Sequence, residues 1–417
     1  MPMGVRIPPP VQKIKTMSTD SSLFKVIPSN LNKGFGFCVF GEPTQEVLNL
    51  AESCNFIVQK EKGYTNFFPT EKTDFGKMFI GEKKFKYMDG FSPNLNKHLH
   101  IGHFSNLILA KAFQKLGVAE EYISILGDTL KGEVSKEEAL EKFKEHCKKF
   151  DYKVDKIFFA SEMKYEGELK NGEGEYEGTK IVEAGEEKIV VIKKDGSTSY
   201  FYQDLALASL LNDDTLYLTG YEQENHFKLL SKVYPHITHV GLGLVKLKSN
   251  KMIPSANGKM STRLGNVVYL SDFMEELKEE FNGDEKLAYN IFAGYILGGS
   301  PKSDKTFDMN LMKNHKNSPG LYLSYTMARL KSAGVDLNHS ADDFIKPEIK
   351  YAYIKAKAAL NPSVLFQALV ELCKEINSLY TTHHISGNED NKVMFSKLMS
   401  DLYVGMKKIG LFEVDNV

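Results

Sequence analysis

Residues 85–126 read as strand, turn, helix and strand: Phe85-Lys86-Tyr87-Met88, then Ser92-Pro93-Asn94, a helix-patterned run from Phe104 to Leu116, and Tyr122-Ile123-Ser124-Ile125-Leu126. A unit of this kind closes only as part of a parallel sheet, with its ligand at the carboxyl ends of the strands. His100-Ile101-Gly102-His103 stands where the helix opens. The free N–H groups and positive end of a helix attract phosphate, two imidazoles add donors, and Gly102 lets a flat base approach the backbone. Far downstream, Lys259-Met260-Ser261-Thr262-Arg263 forms a basic stretch flanked by glycines that suits closure over the same phosphates. Together the two stretches describe an ATP-using, adenylate-forming site.

Composition excludes several other classes. The chain has 417 residues, 42% hydrophobic and 26% charged, which bounds it to a globular protein of two or three domains. A net charge of −1 leaves no global nucleic-acid footprint, so any RNA surface is a local patch. Cys38, Cys54, Cys147 and Cys373 are scattered without CxxC or metal spacing, which favours a reducing, cytoplasmic setting and no metal site. No apolar run reaches transmembrane length. Arginine occurs only at Arg6, Arg263 and Arg329; the other 50 of the 53 basic residues are lysine. A chain so biased keeps arginine where a planar, bidentate cation is needed. Chance retention is the competing reading for Arg329.

The organisation follows from the pattern. Residues 1–19, with Arg6, Lys13 and Lys15 around Pro8-Pro9-Pro10, read as a disordered leader, with Met17 as an alternative start. Residues 20–84 read as a small α/β module, residues 85–275 as a Rossmann-like catalytic domain, and residues 276–417 as an all-helical bundle. Within the second, the Glu/Lys/Gly-rich stretch at about 131–189 reads as an insertion. Parallel-type strands return at Leu216-Tyr217-Leu218 and across Val240 to Val245.

The segment Ser92-Pro93-Asn94-Leu95-Asn96-Lys97-His98-Leu99-His100-Ile101-Gly102-His103, with Lys259-Met260-Ser261, resembles the two signatures of class I aminoacyl-tRNA synthetases. Asp195-Gly196-Ser197-Thr198-Ser199-Tyr200 through Asp204, Gln223 with His226-Phe227, Phe307-Asp308, and Tyr325-Thr326-Met327-Ala328-Arg329 are similar, in order, to blocks of arginyl-tRNA synthetase. The resemblance implies ATP with Mg²⁺ carried by the nucleotide, L-arginine and tRNA(Arg) as substrates, and a monomer without membrane attachment. It implies His100, Gly102, His103, Gly243, Lys259, Met260 and Ser261 at ATP, with Lys97, His100, His103, Lys259 and Arg263 as the catalytic groups. Asp89, Asn94, Tyr200, Asp204 and Gln223 would surround arginine, and Tyr325 and Arg329 would face tRNA. The chain departs from the family in four places. Asp89 replaces a glutamate, Thr262 replaces the loop's second lysine, no tryptophan follows Gly127-Asp128, and the N-terminal module is short.

The chemistry stands beside the resemblance. Activation requires a carboxylate to attack the α-phosphorus while pyrophosphate leaves, so the protein must position both and neutralise growing charge. Neutral imidazoles can donate to phosphate oxygens, and Lys97 adds a fixed charge upstream. A buried guanidinium needs fixed carboxylates. Bland readings remain for some residues: Asp204 as the N-cap of a helix at Leu205, His226 as a structural histidine, Gly243 as a strand glycine, and the Lys-rich run 141–157 as a solvated helix face. The alternatives at the level of function are a paralogue that binds tRNA or another partner without charging it, and a related enzyme that joins something other than arginine to AMP or tRNA.

Overall fold

A computed structural model describes residues 27–28, 36–248 and 268–417, except 41, 62, 71, 80–83, 96, 129–134, 282, 315, 338–341 and 416. The expected leader at 1–19 lies outside the described residues. The chain divides into two units, Met1–Glu82 and Lys83–Val417. In the first, β1 (Ile27–Pro28), β2 (Phe37–Phe40), α1 (Gln45–Ser53), β3 (Phe56–Glu61) and β4 (Tyr64–Pro69) build an antiparallel sheet ordered β1-β2-β4-β3. Thr44 starts α1 by accepting the Val47 N–H at 3.4 Å, one of the donors a first turn leaves free. Phe56 packs edge-on against Phe37 and Phe75, the geometry ring quadrupoles favour.

The second unit opens with β5 (Phe85–Asp89), α2 (Ile101–Leu116), β6 (Ala119–Leu126), α3 (Lys136–Lys149) and β7 (Lys156–Phe159). A small antiparallel sheet follows, made of β8 (Lys170–Asn171), β9 (Lys180–Ala184) and β10 (Glu187–Ile192). The main sheet resumes with α4 (Tyr200–Leu211), β11 (Thr215–Gly220), α5 (Glu224–Val233) and β12 (Ile237–Leu242). Its five strands are parallel and ordered β12-β11-β5-β6-β7. The chain leaves β5 toward one edge and returns at β11 toward the other. This order opens a crevice at the carboxyl ends of β5 and β11, the place where open α/β sheets bind ligands.

Two expectations change here. The stretch expected as an insertion at 131–189 divides: β7 is a strand of the main sheet, reached from β6 through α3, and β8–β10 form a separate sheet. The charged surface of α3 conceals a stripe of Ala139, Phe143 and Cys147, spaced four residues apart and buried, with Phe143 stacked on Phe91. The single strand expected across Val240–Val245 is broken, because β12 ends at Leu242 and β13 (Val245–Lys248) starts a new pairing. At the break, Gly243 donates its N–H to Pro301 O at 2.8 Å. A Cβ there would lie 2.2 Å from the Ser303 carbonyl oxygen, so only glycine permits the crossing.

The remaining elements are α6 (Leu270–Glu280), α7 (Glu285–Leu297), β14 (Lys305–Asp308, parallel to β13), α8 (Met309–Met312), α9 (Pro319–Ser332), α10 (Pro347–Ala358), α11 (Ser363–Thr382) and α12 (Glu389–Lys408). One continuous apolar cluster joins α2 to these helices, while α4 and α5 cover a smaller cluster on the other face of the sheet. Phe104 of α2 stacks on Phe292 of α7 at 5.3 Å, so the helix that carries the two imidazoles is gripped by the helical region. Among the described residues, no helix is long and apolar enough to cross a membrane.

The C-terminal segment completes this grip. Asn290 of α7 donates to Phe412 O at 2.8 Å and accepts from Phe412 N at 2.9 Å. The Phe412 ring lies 3.7 Å from the ammonium of Lys111, which is 1% exposed on α2 and has no hydrogen-bond partner. Burial pulls the Lys111 ammonium down to about 7. Between that value and the unfolded value near 10.4, the unfolded chain binds the extra proton, so stability rises with pH. Lys111→Met should therefore be at least as stable as the parent at pH 7, by roughly 1 kcal/mol once the unpaired amine is gone. It should also lose the gain in stability that the parent shows between pH 7 and 10. Urea midpoints at both pH values check this, and a lower midpoint for the variant at pH 7 would contradict it.

Candidate active site

The crevice is built first by backbone. Gly90 follows β5 and runs so close to α2 that a Cβ would lie 2.8 Å from the Ala110 Cβ. The next turn is pinned to β6: Ser124 Oγ donates to Phe91 O at 2.8 Å, and Ser92 Oγ accepts Ile125 N–H at 2.9 Å. With its lone pair so used, the Ser92 hydroxyl donates its proton to Asp89 Oδ1. Asp89 is buried at the end of β5, and that burial raises its carboxyl to about 7. The bond from Ser92 opposes the shift, and the Asp204 carboxylate adds to it.

His100 is the N-cap of α2, in extended conformation at φ −127° and ψ 173°. Its Nδ1 accepts the Gly102 N–H at 3.1 Å, and Nδ1 of His103 accepts the His100 N–H at 3.3 Å. Two free helix donors are thus satisfied by imidazoles in the manner of a capping box. A nitrogen that accepts carries no proton, so both rings are Nε2–H tautomers with that donor left for a ligand. Burial lowers both rings below the usual histidine range, His103 to about 3, and Lys97 adds to the effect on each. Both are neutral at pH 7. Gly102 is required because a Cβ would meet the His100 ring at 2.9 Å.

Asp89, His100, Gly102, His103, Gln223 and Gly243 line one cavity of about 360 Å³, together with Ser92 and Lys246. Six of the residues singled out in the sequence thus meet at the switch point. Lys259, Met260, Ser261 and Arg263, with Thr262, lie outside the described residues. The chain on either side of that stretch does reach the site: Val245 and Lys246 line the cavity, and on return Val268 O accepts the Ile101 N–H at 3.2 Å while Leu270 N donates to Leu99 O at 2.9 Å. Among the described residues, no cluster of three or more His, Cys, Asp or Glu is arranged to hold a metal ion.

This chain is 25% identical to the arginine–tRNA ligase of Clostridium acetobutylicum, over 85% of its own length and 84% of the relative's. The ligase of Clostridium botulinum (strain Hall) is likewise 25% identical, over 86% and 84%. Among solved structures, the arginyl-tRNA synthetase of Thermus thermophilus aligns with TM-score 0.63 at 14% identity, over 94% of this chain and 96% of that one. The Plasmodium falciparum synthetase aligns with TM-score 0.58 at 16% identity, over 87% and 86%. No protein-family model matches the chain. In sequence the chain is similar to arginine–tRNA ligases at 25% identity over most of its length. Its fold is the class I synthetase fold.

Not every residue expected from the synthetase pattern reaches the cavity. Asn94 and Lys97 line a neighbouring space of about 610 Å³ with His98, Lys142 and Tyr269. Tyr200 is the first residue of α4 and is 87% exposed. Asp204 is not a helix cap: Ser199 holds that position, and Asp204 sits one turn inside α4. Its carboxylate meets Nε2 of His226 at 2.7 Å, which makes His226 the partner that holds it. Tyr325 and Arg329 lie on α9. The former is exposed, while the Arg329 guanidinium stacks 3.8 Å over Tyr380 and donates to Asn377 Oδ1 at 2.8 Å. Sequence reasoning missed Ser92 and Lys246. The first sat inside a quoted motif without a role, and the second in a lysine-rich run that carries no periodic signal.

Asp89 should titrate near neutrality, and Ser92→Ala should move it higher by removing the hydrogen bond that favours its charged form. The carboxyl carbon shift of labelled protein followed by NMR from pH 4 to 9 reads this directly. Titration near 4 in both proteins would show that the site is wetter than the burial of Asp89 implies.

Proposed function

We propose that this chain is an arginine–tRNA ligase, which joins L-arginine to AMP at the expense of ATP and then transfers the arginyl group to tRNA(Arg). The observation that carries the proposal is the shared cavity: two neutral Nε2–H imidazoles on the N-terminus of α2 face the same space as a buried carboxylate, at the switch point of a class I sheet. In the first step an oxygen of the arginine carboxylate bonds to the α-phosphorus, and the bond from that phosphorus to the β-phosphate bridging oxygen breaks. Pyrophosphate leaves with the electron pair. In the second, a terminal ribose hydroxyl of tRNA attacks the arginyl carbonyl, AMP leaves, and the hydroxyl proton goes to solvent or to the phosphate of AMP.

His100 and His103 donate to phosphate oxygens, and being neutral they do so without a deprotonation cost at pH 7. Lys97, Lys259 and Arg263 supply positive charge to the triphosphate, with Lys246 a further cation on the cavity wall. Gly102 and Gly243 give the adenosine backbone to lie on, beside Met260 and Ser261. Asp89, Asn94, Asp204 and Gln223 take the charged groups of arginine, with Tyr200 closing from the start of α4. Mg²⁺ travels with the nucleotide, held by phosphate oxygens, and neutralises their charge when bound. The helical region after about residue 276 takes the anticodon side of tRNA, through Tyr325 and Arg329. The chain works as a monomer in the cytoplasm; buried free thiols at Cys54, Cys147 and Cys373 suit a reducing compartment.

Charging of total tRNA with each amino acid in turn tests the proposal, and arginine alone should be incorporated. Binding of tRNA without charging would move the reading to a non-charging paralogue. His100→Ala should slow arginine-dependent ATP–pyrophosphate exchange, measured with tRNA present, by about tenfold or more. Unchanged kinetics would remove that donor from the mechanism. Asp204→Ala should abolish arginine use while leaving ATP binding, measured by fluorescence displacement, within about threefold of the parent. Parental turnover would refute the role given to Asp204.

A further inference from the structure

Tyr217 stands in the middle of β11, 0% exposed, and its hydroxyl has no hydrogen-bond partner. A buried, unpaired hydroxyl costs free energy that a phenylalanine of the same shape would avoid, so its presence needs a cause. Its position suggests one. In the parallel pairing of β11 with β5, Tyr217 is the direct partner of Asp89, and residues so paired point to the same face of the sheet. On that face the Tyr217 ring packs on Phe227 of α5 at 4.8 Å, and Phe227 is edge-on to His226 at 5.1 Å. His226 holds the Asp204 carboxylate. The phenol is therefore set among the two carboxylates proposed to receive a cation, yet is bonded to neither.

We infer that Tyr217 is a specificity-determining residue of the amino-acid site, whose hydroxyl accepts an N–H from the substrate's cationic group when that group pairs with Asp89 and Asp204. The inference rests on the proposed arginine-activating function. A phenol suits the task because one oxygen can accept from a guanidinium or ammonium N–H while its own proton turns to a carboxylate. Burial and the negative charge of Asp204 and Asp89 raise the phenol well above its ordinary range, so the proton needed for that second bond stays in place. A site that offers a buried polar atom to a ligand N–H penalises any amino acid that leaves it unpaired. The hydroxyl thus adds discrimination to a pocket whose carboxylates alone would accept many cations.

The test compares the parent with Tyr217→Phe and Tyr152→Phe in full-length protein. Tyr152 is a fair control: it is also buried with an unpaired hydroxyl and also feels the charge of Asp89, but it belongs to the other core cluster, edge-on to Phe91. Tyr217→Phe should melt at the same temperature as the parent or higher without ligand, since an unpaired polar atom is lost. With arginine it should show a smaller rise in melting temperature. In tRNA charging its KM for arginine should increase about tenfold or more, with the KM for ATP unchanged. Tyr152→Phe should keep the parental KM for arginine. A parental KM and a parental arginine-induced shift in Tyr217→Phe would overturn the assignment. A lower melting temperature with arginine and ATP parameters damaged together would also overturn it, as a purely structural role. A parent protein that charges tRNA with no arginine at all would instead defeat the proposed function on which this assignment stands.

Discussion

Everything in the candidate site hangs on two parallel strands, β5 and β11, that lie side by side while the chain leaves them in opposite directions. Helices on a parallel sheet must cross back over it, so a reversal in strand order leaves a gap that no connection covers. Asp89 ends one strand and Gly220 the other, and both line the resulting cavity. The turn after β5 must then pass over α2 without side chains in the way, which Gly90 permits. That geometry delivers the start of α2, with its two imidazoles, to the open end of the sheet.

The helix start solves a second problem with the same atoms. Unsatisfied N–H groups at a helix N-terminus need acceptors, and here His100 and His103 provide them through Nδ1. That choice fixes the tautomer, and burial prevents protonation, so structure alone makes each ring a neutral donor. Asp89 faces the reverse difficulty, a carboxylate buried at the strand end that feels the charge of Asp204. Ser92 donates to Asp89 and opposes the shift, while Asp204 is bonded to His226. An apolar environment that raises a carboxyl to about 7 is ready to be reversed by a cation, which returns the charged form to favour.

Legibility in the sequence tracked how local the cause was. The βαβ unit, the histidines and the helical character after residue 276 carry their signal in spacing along the chain, and the observed α2 begins three residues before the patterned run at Phe104. The break at Gly243 was hidden because its cause is the backbone of Ser303, sixty residues on. The role of α3 as the connection between two strands of the main sheet was hidden under lysines and glutamates that face water. Asp204 taken alone reads as a cap, and Tyr200 four residues earlier favours a site residue instead; the start of α4 at Tyr200 removes the cap.

What the sequence by itself determined is the parallel-sheet class, the placement of His100, Gly102 and His103 at a helix start, and the helical character of the C-terminal region, because periodicity and capping are properties of neighbouring residues. Tertiary structure decided which polar groups share a face and which are paired. The Asp204 bond to His226, the exposure of Tyr200, the unpaired phenol of Tyr217 beside Asp89 and the buried ammonium of Lys111 under Phe412 depend on contacts between distant segments. Such contacts set the local dielectric and the available partners, and these control charge and hydrogen bonding in ways that residue spacing does not record.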